Sequence, residues 1–250
     1  MTDTLLVEWG EHDVLTLTLN RPAKRNALDP ELLTALAAAL RDEGERARAV
    51  ILRGAGTDAF SAGYDLGRLS GSVDDLEADR FIGDAATAIR NCPAPVIARL
   101  QGHCQGAGVE LAMSCDLRLA AGDLCMSVPA VGLGVVYRYS FVARLVQMAG
   151  IARASDLLLG TQELNAETAY LWGLVTEVVP AAEIDARVRA LAEKLATSPV
   201  PAVQGTKAAL NLLDRRAVAG EDLLQAHELR SRAAASPERK EALARRKKKS

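Results

Sequence analysis

Two stretches of small residues carry the chemistry this sequence offers. The first is Phe60-Ser61-Ala62-Gly63-Tyr64-Asp65-Leu66; the second is Gly102-His103-Cys104-Gln105-Gly106-Ala107-Gly108-Val109-Glu110-Leu111-Ala112. Each follows a run that reads as a buried strand, and the second leads directly into a helix. Glycine and alanine at such a junction let a ligand come close to the backbone, and a helix start presents N–H groups that lack an intrahelical acceptor. That arrangement can hold negative charge developing on an oxygen. Read singly, either loop is better explained by glycines that only permit a tight turn. Glu110 stands near the helix start, where a carboxylate in a pocket can be tuned for proton transfer. On an exposed face the same carboxylate would only favour the helix dipole.

Other patterns fail their context. Arg53-Gly54-Ala55-Gly56-Thr57-Asp58-Ala59 spells a dinucleotide-like GxGxxA, with Asp74 and Asp75 some way on. A helix with an apolar stripe should follow, and Phe60-Ser61-Ala62-Gly63 follows instead. Ser61 and His103 hint at a serine hydrolase, but no GxSxG elbow is present. The four cysteines, Cys92, Cys104, Cys115 and Cys125, show no CxxC spacing and read as reduced thiols in or near the core. No metal site is expected.

The elements that must position these loops follow from periodicity. Residues 4–9 and 13–19 alternate as a strand pair turning at Gly10-Glu11-His12. Pro30 opens a helix with Leu32, Leu33, Leu36 and Leu40 at helical spacing. Strands are predicted at 49–52, 95–100, 116–120 and 174–179, with helices at 74–89 and 109–114. Beyond Asn165, helices dominate at 165–172, 181–197, 200–213 and 221–235. Strand, strand, helix, repeated with variations, predicts α/β layering. A boundary falls near Pro199-Val200-Pro201, separating residues 1–198 from a helical region, 199–250. The later helices carry Leu210, Leu212, Leu213, Leu223 and Leu224, which need a partner surface.

Together with their flanks, the motifs gain meaning. Arg21-Pro22 with Asn26-Ala27-Leu28, then FSAGYDL, then PVIARLQGHCQGAGVELA, then GTQELNAETAYLWGLVTEVV occur in one order. In that order and spacing the chain resembles the crotonase (enoyl-CoA hydratase/isomerase) superfamily over roughly residues 5–215. The resemblance implies a spiral of ββα repeats forming an acyl-CoA-binding core, with the C-terminal helices used for association. It implies a homotrimer or a dimer of trimers, in which those helices can cover a neighbour's site. It implies that Tyr64, after the Ala-Gly of the first loop, and Ala107, three residues before Glu110, donate backbone N–H groups to a thioester oxygen. Segments around Ala23, Arg25 and Ala27, and Ala62, Asp65 and Leu66, resemble those that line the coenzyme A channel. Asp65 reads equally as a carboxylate that stabilises its own loop.

Glu110 matches the first of the two acid/base glutamates of the hydratases. The second should directly follow a proline; here Pro129 is followed by Ala130, and Met126 to Met148 contains no carboxylate. Addition of water by the family route uses two carboxylates, so hydration is in doubt. Leu133-Gly134-Val135-Val136-Tyr137 resembles the family's malonyl-type acyl-CoA decarboxylases, whose chemistry needs an enolate hole and no base. Tyr137 and Tyr139 also read plainly as half-buried aromatics at a helix start. Three functions stand open: a single-glutamate enolate enzyme, a decarboxylase using Tyr137, and an acyl-CoA binder without catalysis. Coenzyme A enters as part of the substrate, and no separate cofactor is implied.

Composition bounds the partners. With 30 Lys and Arg against 32 Asp and Glu, the net charge of −2 argues against nucleic-acid binding. The first residues lack a secretory pattern, and no run approaches the ~18 apolar residues of a membrane span. A cytoplasmic protein is expected. Arg245-Arg246-Lys247-Lys248-Lys249 reads as a solvated, frayed tail.

Overall fold

A computed structural model of the chain describes residues 4–216 and 220–247. The N-terminal alternation produces a hairpin: β1 (Leu5–Trp9) pairs antiparallel with β2 (Val14–Leu19), setting Leu5 opposite Leu19. α1 (Pro30–Asp42) starts where Pro30 predicts, because Asp29 caps it by accepting the Leu32 N–H. Its leucine stripe, Leu32, Leu33, Leu36 and Leu40, is buried. Each such side chain contributes about 1.5–3 kcal/mol on burial.

Three strand-strand-helix units follow. The first comprises β3 (Ala49–Gly54), β4 (Ala59–Ser61) and α2 (Ala78–Asn91). The second comprises β5 (Val96–Leu100), β6 (His103–Gln105) and α3 (Ala107–Ser114). The third comprises β7 (Leu117–Ala121), β8 (Cys125–Ser127) and α4 (Tyr139–Ala149). The first strand of each unit joins one sheet and the second joins another. The remaining elements are α5 (Ile151–Leu158), β9 (Leu164–Asn165), α6 (Ala166–Leu171), β10 (Glu177–Val179) and α7 (Ile184–Ala196). The chain ends in α8 (Val200–Arg216), α9 (Gly220–Ala234) and α10 (Pro237–Lys247). The sheets run β1-β2-β3-β5-β7-β10 and β4-β6-β8-β9, parallel except at β1–β2 and β8–β9. This is the ββα spiral that the resemblance implies.

The long parallel strands are buried on both faces, which is why β5 reads as an apolar run broken only by Arg99. One face packs on α1, α2 and α3, and the other on Ile184, Val188 and Ala192 of α7. α8 is pinned by Lys207, whose Nζ lies 2.7 Å from Asp116 Oδ2 and donates to the Ala94 carbonyl at 2.9 Å.

Two expectations shift. α2 begins at Ala78 rather than residue 74, because Asp75 binds the Ser70 and Gly71 N–H groups and holds residues 73–77 in tighter 3-10 turns. The tail is ordered: α10 runs through Lys247, with Leu243 buried, while Lys248 and Lys249 lie outside the described residues. The cysteines are free; burial pushes the Cys115 thiol up to about 12 and Cys104 higher still, so both behave as inert core groups. No helix among the described residues is long and apolar enough to cross a membrane.

Candidate active site

The FSAGYDL loop is held by the strand-like segment beside it. Ala62 N donates to Arg25 O, Leu28 N to Gly63 O and Asp65 N to Leu28 O, each at 2.8 Å. Ser61 Oγ donates to Asn26 O at 2.8 Å and accepts from Gly63 N at 3.1 Å. The amides of Ala62, Gly63 and Asp65 are thereby taken, and among the described residues the Tyr64 amide has no acceptor. In the second motif the first half is a strand, β6, and the helix starts at Ala107. Val109 and Glu110 donate back to Gly106 O, while the Ala107 amide, at the helix start, has no acceptor among the described residues.

The two loops abut backbone to backbone. A Cβ on Gly63 would lie 2.8 Å from Gln105 O and 3.5 Å from Ala107 N, and Gly63 also holds φ at +88°. The glycine therefore serves both readings, a turn and a close approach.

Tyr64 and Ala107 face one cavity of about 470 Å³. Its wall also includes Glu110, Tyr137, Ala62 and Leu66 from the sequence-derived candidates. Ala23, Arg25, Ala27 and Asp65 do not line it. Ala27 is buried behind the loop, Arg25 sits at a left-handed φ of 49°, and Ala23 is exposed. Asp65 accepts from Arg21 at 2.9 Å, Lys24 at 3.1 Å and the Gly67 N–H at 3.1 Å, so its carboxylate braces the loop.

Glu110 is 3% exposed and forms an ion pair with Arg138 Nη2. Burial raises its carboxyl above the ordinary value, while the charge and hydrogen bond of Arg138, and the charge of Arg90, pull the other way. Burial, then the charge of Glu110, pushes the Tyr137 hydroxyl far up, so it remains a neutral donor. Tyr137 Oη approaches Gly106, 3.2 Å from where a Cβ would be, and its ring packs against Phe141 with centroids 5.0 Å apart. Ala130, on the same wall, is 5% exposed and brings only a methyl group to it.

The sequence reading missed the arginines. Arg138 reaches Glu110, Arg230 of α9 pairs with Asp79, and Arg239 of α10 pairs with Asp75 at 2.9 Å, all on this cavity. Arg245, expected in a frayed tail, lines the cavity from the last helix. Where the resemblance lets a neighbour's helices cover the site, α9 and α10 of the same chain cover it here. The three carboxylates on the wall, Asp75, Asp79 and Glu110, thus each have an arginine partner. No group of three His, Cys, Asp or Glu side chains suited to a metal occurs among the described residues.

The fold matches solved structures along nearly the whole chain. An enoyl-CoA hydratase/isomerase from Xanthobacter autotrophicus Py2 superposes with a TM-score of 0.86 at 31% identity, covering 98% of this chain and 94% of that one. A methylmalonyl-CoA decarboxylase, in complex with 2-nitronate-propionyl-CoA, superposes with a TM-score of 0.92 at 25% identity, covering 100% and 97%. The relative named "Probable enoyl-CoA hydratase echA6", of Mycobacterium tuberculosis, is 36% identical over 199 residues, 79% of each chain. The family model for enoyl-CoA hydratase/isomerase matches residues 10–249, and the chain belongs to that family.

Proposed function

We propose that the chain turns over an acyl-CoA thioester through an enolate, with the Tyr64 and Ala107 amides receiving the thioester oxygen and Glu110 carrying the proton. The observation that carries this reading is the meeting, on one cavity wall, of a buried carboxylate and two residues whose amides have no acceptor among the described residues. Amides fixed by the backbone need no reorganisation when charge reaches the oxygen. A single carboxylate can take a proton from one carbon of the acyl chain and return it to another, which is an isomerisation. Hydration asks for a second carboxylate, and Ala130 has none. Coenzyme A belongs to the substrate in this reading, which draws on no resident metal or redox group.

A second reading is decarboxylation of a malonyl-type thioester. It is favoured by Tyr137, a neutral hydroxyl on the cavity wall, and by the full-length likeness to a methylmalonyl-CoA decarboxylase. The carbon–carboxylate bond would break, carbon dioxide would leave, and its electron pair would become the enolate, which then takes up a proton.

A panel of enoyl-CoA and malonyl-type thioesters, followed by absorbance and by carbon dioxide release, separates the two. Isomerisation without carbon dioxide supports the first. Carbon dioxide release that falls in Tyr137→Phe and survives in Glu110→Gln supports the second and contradicts the first. The assembly we propose is a trimer or a dimer of trimers, acting in the cytoplasm.

A further inference from the structure

Nothing in the proposed chemistry yet uses Arg138, although its side chain is built into the site from two elements. Arg138 stands at the N-cap position of α4 without capping it through its side chain, and its guanidinium extends to Glu110 on α3. Its path is open because residue 83, on a buried face of α2, is glycine: a Cβ there would run into Arg138 Nη1. Glycine inside a helix costs about 1 kcal/mol against alanine, so α2 gives up propensity at the position that seats this guanidinium. Nη2 donates to Glu110 Oε1, while Nε is buried with no partner.

We propose that Arg138 is a positioning residue for Glu110, seated in the notch left by Gly83 so that its guanidinium aims the carboxylate and keeps it charged. The inference rests on the reading of Glu110 as proton carrier. A carboxylate at 3% exposure with no counter-ion would protonate and lose its use as a base. The groups facing Glu110 leave this task to few candidates. Arg90 of α2 adds positive charge, but it is engaged with Ser114 and Thr87. Arg144 of α4 donates to the Met113 carbonyl. Tyr137 and the Cys104 thiol are neutral, both held protonated by burial. Arg138 alone among these touches the carboxylate.

Burial pushes the Glu110 carboxyl up and Arg138 restrains it, so removing Arg138 lets it rise further. The base form then persists only at higher pH, and the acid limb of the rate profile moves to higher pH.

Carboxyl-labelled glutamate, observed by carbon NMR and assigned through Glu110→Gln, reads this without needing turnover. In Arg138→Gln the Glu110 midpoint should rise by about one pH unit or more. In Gly83→Ala it should move the same way, with the gain in helix propensity of about 1 kcal/mol offsetting part of the stability lost with the ion pair. The acid limb of α-proton exchange on butyryl-CoA in deuterated buffer should follow both shifts. A midpoint that stays put in both variants overturns the inference, and Gly83→Ala decides alone if Arg138→Gln fails to fold. Exchange in Glu110→Gln as fast as in wild type would sink the underlying reading and the inference with it. Slow exchange there, with unmoved midpoints, sinks only the role of Arg138.

Discussion

Two buried carboxylates, Asp65 and Glu110, sit in opposite surroundings that sort them by role. Burial would raise both, but at Asp65 the hydrogen bonds from Arg21, Lys24 and the Gly67 N–H outweigh it and hold the carboxyl below its ordinary value. At Glu110 burial wins over Arg138, and the carboxyl lies above the ordinary range. The first is fixed in charge and serves the loop; the second is poised to exchange a proton. Because the folded value at Asp65 is depressed, its contribution is present above the unfolded pKa and lost as pH falls through the folded one. Asp65→Asn should therefore cost about 1–3 kcal/mol at neutral pH, read as a lower Tm. The gap to wild type should narrow once the pH drops below about 4. A gap that persists unchanged through acid would mean that the loop does not rely on that charge.

At the scale of elements, the helices that close the cavity are held by charge as well as by apolar stripes. α10 docks through Leu243 and through Arg239, which is 4% exposed and bonds Asp75 and the Ser72 carbonyl. Removing one partner of such a pair typically costs about 3–5 kcal/mol. Arg239→Ala should release α10: its amides should exchange rapidly while α1 to α3 stay protected, and acyl-CoA affinity should fall. Unchanged protection over 237–247 would contradict that docking. The same physics explains what sequence could and could not reveal. α1 was legible because Pro30 and a leucine stripe both point to one helix. α10 was not, since a helix rich in Lys, Arg and Glu reads as solvated, although Ser236-Pro237 is a start signal. Arg138 escaped for a related reason, because arginine is read as a surface residue by default. The strands β4, β6, β8 and β9 span only two or three residues each, too few for alternation to register. The positions of Tyr64, Ala107 and Glu110 were legible through motif order. That the Tyr64 amide has no acceptor among the described residues became visible only once the bonds to Arg25, Leu28 and Ser61 were placed.

For the whole molecule, the surface and the cavity make separate demands. Leu210, Leu212, Leu224 and Leu229 of α8 and α9 are 60%, 58%, 72% and 52% exposed, while the side chains of Leu213 and Leu223 lie outside the described residues. The proposed assembly would cover these apolar side chains, and sedimentation at micromolar concentration should find a trimer or hexamer. A monomer there would remove the proposed assembly without touching the chemistry. The chemistry is tested most directly by the α-protons of a saturated thioester, which exchange only if an enolate forms and a base serves it. Butyryl-CoA in deuterated buffer, followed by mass spectrometry, should gain deuterium with wild-type protein. Glu110→Gln should slow that gain by about 10²–10⁴ with binding affinity intact. Tight binding with no exchange in the wild-type protein, or equal exchange in Glu110→Gln, would contradict an enolate served by Glu110.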